Sequence, residues 1–317
     1  MLIRRAPALV ALLGALTVAG CSADPATPRA EPVQTSDNPT TSKPRPTSSP
    51  RPSTPGPSKP ATPRRPGPAS TDGTLTSAAY GAGSEPPPWL FTRLLPEAED
   101  GYGVVRPTPQ VLRRRAFTLP DQVPMLPGGG YASRVVSPAP VEVVERSTWE
   151  PGCPVARDEL AWLRLTFRGF DGQRHTGELL VNASAAADLD QVFRRLWEAS
   201  FPMEQVLIVR SIDEDAPPTG DGNGTGSFVC RATTGGTSFS QHAYGLAIDV
   251  NTFQNPYQND GRVLPELASS YLQREQVRPG MITADGPVVH AFREIGWSWG
   301  GEWTSLKDYQ HFSANGL

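Results

Sequence analysis

From residue 22 to about residue 84 the chain is built almost entirely of Pro, Ser, Thr and Ala, as in TSKPRPTSSPRPSTPGPSKPATPRRPGP. A segment with so few large apolar side chains has nothing to offset the entropy lost on ordering, so it reads as a disordered, partly polyproline linker. With 35 prolines and 30 glycines in 317 residues, the portion that folds must be much shorter than the chain. The roughly 60 residues of the linker span between about 45 Å as a coil and about 190 Å as extended polyproline. A formal net charge of -3 and the lack of any recognition motif set a nucleic-acid partner aside.

Ahead of the linker, Arg4 and Arg5 precede an apolar run over residues 6–16, a charged region followed by a hydrophobic one too short for an ordinary spanning helix. Residues 1–20 therefore read as a secretion signal. The run closes on Val18-Ala19-Gly20-Cys21, which resembles the bacterial lipobox, whose cysteine is diacylated and becomes the mature N-terminus. Ordinary cleavage beside an incidental Cys21 fits less well, because the small residues fall immediately before the cysteine. Acyl chains anchor without a transmembrane helix, each buried methylene contributing about 0.8 kcal/mol. The expected location is outside the cytoplasm, lipid-anchored to the membrane and facing the cell wall. Lys43, Arg45, Arg51, Lys59, Arg64 and Arg65 occur in a stretch free of acids. That suits contact with an anionic wall polymer, though a merely solvated basic linker is the preferred reading.

Residues 85–148 offer Trp89, Leu90, Phe91, Leu94 and Leu95 for packing, but prolines and Gly128-Gly129-Gly130 break every period, so the segment reads as an extended lead-in that drapes over the head. The folded head is expected over residues 149–317. Leu163, Leu165 and Phe167 alternate with polar positions, Phe170-Asp171-Gly172 turns, and Leu179 and Val181 alternate again, which predicts a β-hairpin. Leu189, Val192, Phe193 and Leu196 follow at helical spacing, ended by Pro202. A strand is predicted at Val206, Ile208 and Ile212, and helices over residues 265–274 and 287–295. The sum is an α+β domain, a small antiparallel sheet with flanking helices, large enough for one core. In a secreted protein, Cys153 and Cys230 read as a disulfide before they read as catalytic thiols, and the long loop it closes contributes about 4 kcal/mol in the entropic description.

In SFSQHAYGLAID, residues 238–249, strand periodicity sends Leu246, Ile248 and Val250 to one face and Gly245, Ala247 and Asp249 to the other. The second face is small and open, and His242 sits just ahead in a loop. An imidazole and a carboxylate brought together suit zinc, which takes nitrogen and oxygen ligands at about 2.0–2.2 Å. The same pair fits an Asp249 that salt-bridges an arginine and a His242 on the surface, and taken alone it does not choose. GWSWGGEWTSLKDYQHFSANGL at the C-terminal end adds the missing parts. A catalytic zinc needs three protein ligands, an open position for water and a carboxylate to take that water's proton. His311 supplies the third ligand and Asp308 the base.

Ser240-x-His242-x-x-Gly245-x-Ala247-x-Asp249, then Trp299-Gly300-Gly301-x-Trp303 and Asp308-x-x-His311-Phe312, resemble the VanY-type D-alanyl-D-alanine carboxypeptidase family of zinc peptidases, relatives of lysostaphin and the hedgehog amino-terminal domain. FDGQRHTGELLVN, FVCR and NPY are similar to segments of that family, so the resemblance spans roughly residues 150–317. It implies metal ligands at His242, Asp249 and His311, a catalytic carboxylate at Asp308 and a substrate-polarising arginine at Arg231. Ser240 is left with two roles, bonding substrate or fixing the histidine loop. Some relatives carry Glu in place of Asp before the last histidine; this chain has the Asp form. The implied activity is zinc-dependent hydrolysis of peptidoglycan stem peptides by a monomeric head, as a D-Ala-D-Ala carboxypeptidase. Endolysin-like relatives that cut between L-Ala and D-Glu form one alternative, and a catalytically silent wall-binding module another.

The two remaining histidines, His175 on a hairpin strand and His290 in an apolar helix, read as structural. The acidic Asp213-Glu214-Asp215 and glycine-rich Asp221-Gly222-Asn223-Gly224 lack the ligand spacing of a calcium loop. Cys21→Ala is expected to release the protein from membranes, and fractionation of cells expressing it against wild type checks this; unchanged membrane association would remove the anchor.

Overall fold

The computed structural model describes residues 84–317 except Asp100 and Gly235, all within the compact unit Ala69–Leu317. The expected signal, Cys21 and nearly all of the linker lie outside the described residues. The fold is α+β, and no helix among the described residues is long and apolar enough to cross a membrane.

The predicted hairpin is the main structural element. Strands β1 (Ser133–Val136), β2 (Leu160–Gly169), β3 (Arg174–Asn182) and β4 (Pro202–Met203) form one sheet, with helix α1 (Val141–Val144) after β1 and helix α2 (Ala186–Glu198) after β3. β2 and β3 pair antiparallel from Leu160↔Asn182 to Arg168↔Arg174, while β2's other edge carries β1 antiparallel and β4 parallel. Leu163, Leu165 and Phe167 point into the core with Leu179 and Val181, and α2 lays Leu189, Val192, Phe193 and Leu196 over them. The helix stops at Glu198, earlier than Pro202 requires, because Ser200 adopts a left-handed φ of 53°.

Beyond this layer the chain adds helix α3 (Ser211–Glu214), strands β5 (Ala247–Asp249), β6 (Tyr257–Asn259) and β7 (Arg262–Leu264), helix α4 (Pro287–Glu294), and strands β8 (Ser298–Trp299), β9 (Lys307–Asp308) and β10 (His311–Ser313). β10 lies between β5 and β8 in one small antiparallel sheet, and β6 lies between β7 and β9 in another. Ile248 from β5, Phe292 from α4, Trp299 from β8 and Phe312 from β10 join the main core, where the rings of Phe292 and Phe312 stack with centroids 4.0 Å apart.

Two expectations fail here. The strand at Val206 to Ile212 is a single bridge from Val206 to Thr225, and Ile212 lies in helix α3. The chain crosses β3 where Gly177 leaves room, with Val206 O accepting the Glu178 N–H, and so runs over that edge without pairing along it. The helix expected over residues 265–274 is only a 3-10 turn at Ser269–Leu272. Its serines are weak helix formers, and Tyr271 is committed elsewhere, its hydroxyl accepting the Arg115 N–H at 3.0 Å.

The lead-in, residues 85–148, drapes over the head and packs against it within one folded unit. β1 is a strand of the main sheet. Leu90, Leu112 and Phe117 build a second core with Phe253, Val263, Leu267, Tyr271 and Met281, and Ala139, Val143 and Val144 build a third with Leu160, Leu180, Ile208 and Phe228. Arg115 is fully buried. Its Nε and Nη2 donate to Glu204 at 2.7 and 2.6 Å, its Nη1 donates to Asp221 O at 2.7 Å, and it lies over the Phe117 and Phe253 rings. Asn223 adds a further bond to Glu204 at 2.7 Å. The Cys153–Cys230 disulfide is formed, with Cα atoms 5.8 Å apart, and joins the third core to the segment leading to Arg231.

Burial pushes the Glu204 carboxyl up, and Arg115 and Asn223 pull it back. Arg115→Met removes the stronger pull and leaves an acid that prefers to be neutral while its unfolded counterpart ionises. The variant is expected to lose about 3–5 kcal/mol at neutral pH. Because a raised carboxyl penalises folding only where the unfolded acid is ionised, the deficit should shrink as pH falls towards the unfolded carboxyl value. Urea unfolding of wild type and variant at pH 5 and pH 8 checks both the size and the sign.

Candidate metal centre

His242 lies in a 3-10 turn, Gln241–Tyr244, whose ends explain the motif around it. Ser240 precedes the turn, and its Oγ accepts the His242 N–H at 3.3 Å. Ser240 thereby caps the histidine turn, and it also lines the cleft. Gly245 closes the turn at φ 67°, and a Cβ there would sit 2.5 Å from Asn182 N on β3. No other residue meets both demands. β5 follows at once, with Ile248 and Val250 in the core and Asp249 turned the other way, the alternation expected from sequence.

β10 pairs with β5 so that His311 lies directly opposite Asp249 while Phe312 lies opposite Ile248. Cross-strand partners share a face, so the register that sends Phe312 into the core also sets His311 beside Asp249. His242 arrives from the preceding turn. The result is a nearly equilateral triangle: His242 Nε2 to His311 Nδ1 is 3.1 Å, His311 Nδ1 to Asp249 Oδ1 is 3.2 Å, and His242 Nε2 to Asp249 Oδ1 is 3.3 Å.

The remaining ring nitrogens decide what this triangle fits. His242 Nδ1 lies 2.6 Å from Ser227 O and His311 Nε2 lies 3.0 Å from Leu317 O. Such main-chain oxygens only accept, so each imidazole donates its N–H outward and, when neutral, turns a lone pair inward. Three acceptors facing one another at these distances could hold a cation between them. Ligands at about 2.0–2.1 Å in tetrahedral array are about 3.3 Å from one another, and histidines oriented by backbone carbonyls are the usual arrangement around zinc. The residues fit the metal that the sequence implies.

The electrostatics agree. Burial would raise Asp249, but the two histidines outweigh it and hold its carboxyl well below the usual carboxylate range. Burial would likewise discharge His311, yet Asp249 and Asp308 raise it to about 8. The site as built attracts positive charge. Asp308 behaves oppositely: burial, then the charge of Asp249, pushes it up to about 7, with His311, Gln310 and Arg231 pulling the other way. Its Oδ1 is buried without a hydrogen-bond partner in the protein. Asp308 is brought in by β9, paired to Tyr257 of β6, and by Gly300, where a Cβ would sit 2.6 Å from Asp308 O.

These groups line one cleft of about 1060 Å³. Arg231 is in its wall, with Nε 3.3 Å from Glu214 Oε1 and Nη1 donating to Ala232 O. Among the described residues lining the cleft it is the one guanidinium or ammonium group, and Phe239, Tyr257, Trp303, Leu306 and Leu317 supply apolar surface. Sequence reasoning missed Ser227 and Leu317, which act through main-chain oxygens and so carry no residue-type signal. Trp303, which the sequence motif includes, has its ring 5.5 Å from that of His311. His175 is indeed structural, bonding Asp121 and Asp171 at the hairpin.

Residues 234–314 match the model of a family described as D-alanyl-D-alanine carboxypeptidase. The matched segment holds Ser240, His242, Asp249, Asp308 and His311, and leaves Arg231 and both disulfide cysteines outside. The VanY-type resemblance read from the motifs is thereby supported independently, and the family is one of metallopeptidases. No solved structure matches the chain.

His242→Ala and His311→Ala each leave two protein ligands, and both variants are expected to lose stoichiometric zinc on dialysis. Elemental analysis against the wild-type protein checks this, and full zinc retention in the double variant would remove the assignment.

Proposed function

We propose that this chain, whose residues 234–314 match the carboxypeptidase family, is a zinc-dependent peptidase that removes the terminal D-Ala from peptidoglycan stem peptides. The observation that carries the reading is the juxtaposition of three inward-facing ligand atoms with Asp308, a buried carboxyl near neutrality that has an oxygen free of protein partners. A binding module has no use for that carboxyl.

Zinc held by His242, Asp249 and His311 lowers the pKa of water and polarises a carbonyl. The chain's own residues do the rest. Asp308 Oδ1 accepts the proton of the attacking water, since a group near neutrality both takes and returns a proton readily. The same carboxyl then delivers it to the departing amine. Arg231 swings from Glu214 to donate to the oxygen on which negative charge develops, in a cleft whose buried walls strengthen that contact. Ser227 and Leu317 keep the two imidazoles in the tautomers that leave their inward nitrogens unprotonated. The apolar rim of Phe239, Tyr257, Trp303 and Leu306 offers surface for the alanine methyl groups and the peptide backbone.

In this reading acylated Cys21 anchors the protein in the cytoplasmic membrane, and the linker lets the folded unit work outward into the wall. A free terminal carboxylate calls for a cation at the closed end of the cleft, whereas an endopeptidase needs that end open. Arg231, the one such cation lining the cleft among the described residues, suits one carboxylate or one oxyanion at a time.

Incubating the zinc-loaded protein with pentapeptide-bearing muropeptides and weighing the products tests the proposal. Release of a single D-Ala is expected. Release of a stem fragment cut after L-Ala would instead make it an endopeptidase, and absence of turnover would leave only binding. Asp308→Ala should keep its zinc and lose about 10²- to 10⁴-fold in turnover.

A further inference from the structure

The two histidines of the metal centre present different nitrogens, His242 its Nε2 and His311 its Nδ1. Nothing in an imidazole decides this; the acceptor bonded to the other nitrogen does. For His242 that acceptor is Ser227 O, in a segment locked to β5 by the Gly226–Asp249 bridge and by Ser227 Oγ donating to Ala247 O at 2.8 Å. For His311 it is Leu317 O, which sits on a turn outside every core.

That turn is held by few ties. Ala314 N donates to Leu246 O, Leu317 N donates to Asn315 Oδ1 at 3.1 Å, and the Trp303 indole N–H donates to Gly316 O at 3.0 Å. Gly316 takes a φ of 79°, the left-handed value that aims the next carbonyl back at the sheet. The Trp303 ring also lies against His311, so one side chain touches the ligand and ties down the residue beside its acceptor. The Leu317 side chain is 73% exposed and belongs to none of the cores.

We infer that Leu317, through its main-chain oxygen and tethered by Trp303, is a positioning residue for His311 that selects its Nδ1 as the metal ligand. The inference rests on the zinc reading above. It predicts that the turn contributes to metal affinity through one oxygen and little to folding.

The test uses the full chain with zinc removed, and measures zinc affinity by competition with a chromophoric chelator. The variants are a chain stopped after Asn315, Trp303→Phe, which keeps a ring but loses the indole N–H, and Leu317→Ala, which keeps the oxygen. The shortened chain is expected to bind zinc about 10- to 100-fold more weakly while the metal-free protein melts as wild type does. Trp303→Phe should shift in the same direction, and Leu317→Ala should bind as wild type. Nitrogen-15 spectra of the zinc-loaded wild type should show a protected His311 Nε2–H that the shortened chain lacks. Wild-type affinity in the shortened chain would overturn the inference, as would a loss in Leu317→Ala equal to that of the shortened chain. If the shortened chain folds poorly, Trp303→Phe decides by the same affinity and the same His311 signal. A wild-type chain that takes up no zinc overturns the metal reading itself, an outcome distinct from equal, tight binding by all variants.

Discussion

The pairing of β5 with β10 sets the geometry on which the site depends. Two adjacent residue pairs in that ladder face opposite ways: Ile248 and Phe312 go into the core, Asp249 and His311 into the cleft. Because the side-chain period of a strand is two, the register that buries the aromatic ring also apposes the two ligands, and a slip of one residue would undo both. The stacked rings of Phe312, Phe292 and Trp299 therefore fix the site, since they make any other register costly.

The layer beneath the site is held from an unexpected direction. A segment that looks like a linker from its prolines supplies Arg115, each of whose three guanidinium nitrogens donates to Glu204 or to Asp221 O. A buried ion pair of this kind is a poor source of net stability, but breaking it is expensive, so it enforces one arrangement of the lead-in and the Tyr271 turn. Asn223, which bonds the same carboxylate, also accepts the Phe253 N–H at 2.8 Å, and so links this network to the loop that leads from β5 to β6. The disulfide does comparable work on the other side, tethering the residue before Arg231 to the third core.

Charge in the cleft is divided between two environments. Asp249 is surrounded by imidazoles and stays ionised; Asp308 is surrounded by buried surface and by Asp249, and holds a proton near neutrality. Two carboxylates of one type thus differ in charge state by position alone, which suits the ligand and acid–base roles proposed for them. Gly300 makes this separation sterically allowed, since any side chain there would displace the Asp308 backbone.

The sequence by itself determined the elements whose signals are local. The alternation in β2, β3 and β5 and the helical spacing of α2 and α4 are written in side-chain polarity, and Ser240, His242, Gly245, Asp249, Asp308 and His311 are written in a motif of chemically distinctive residues. The pairing of Cys153 with Cys230 followed from their number and the expected compartment. Only the tertiary structure decided that residues 85–148 belong to the fold, that the segment after Met203 is not a strand, and that the stretch after Pro265 is a single tight turn. Those outcomes depend on partners far away in the chain: Arg115 meets Glu204, Tyr271 meets Arg115, and Val206 meets the gap at Gly177. The same is true of the tautomers at the metal centre. Ser227 and Leu317 orient the histidines through main-chain oxygens, a group that nearly every residue type presents alike, and only the folded backbone can aim one of them at an imidazole.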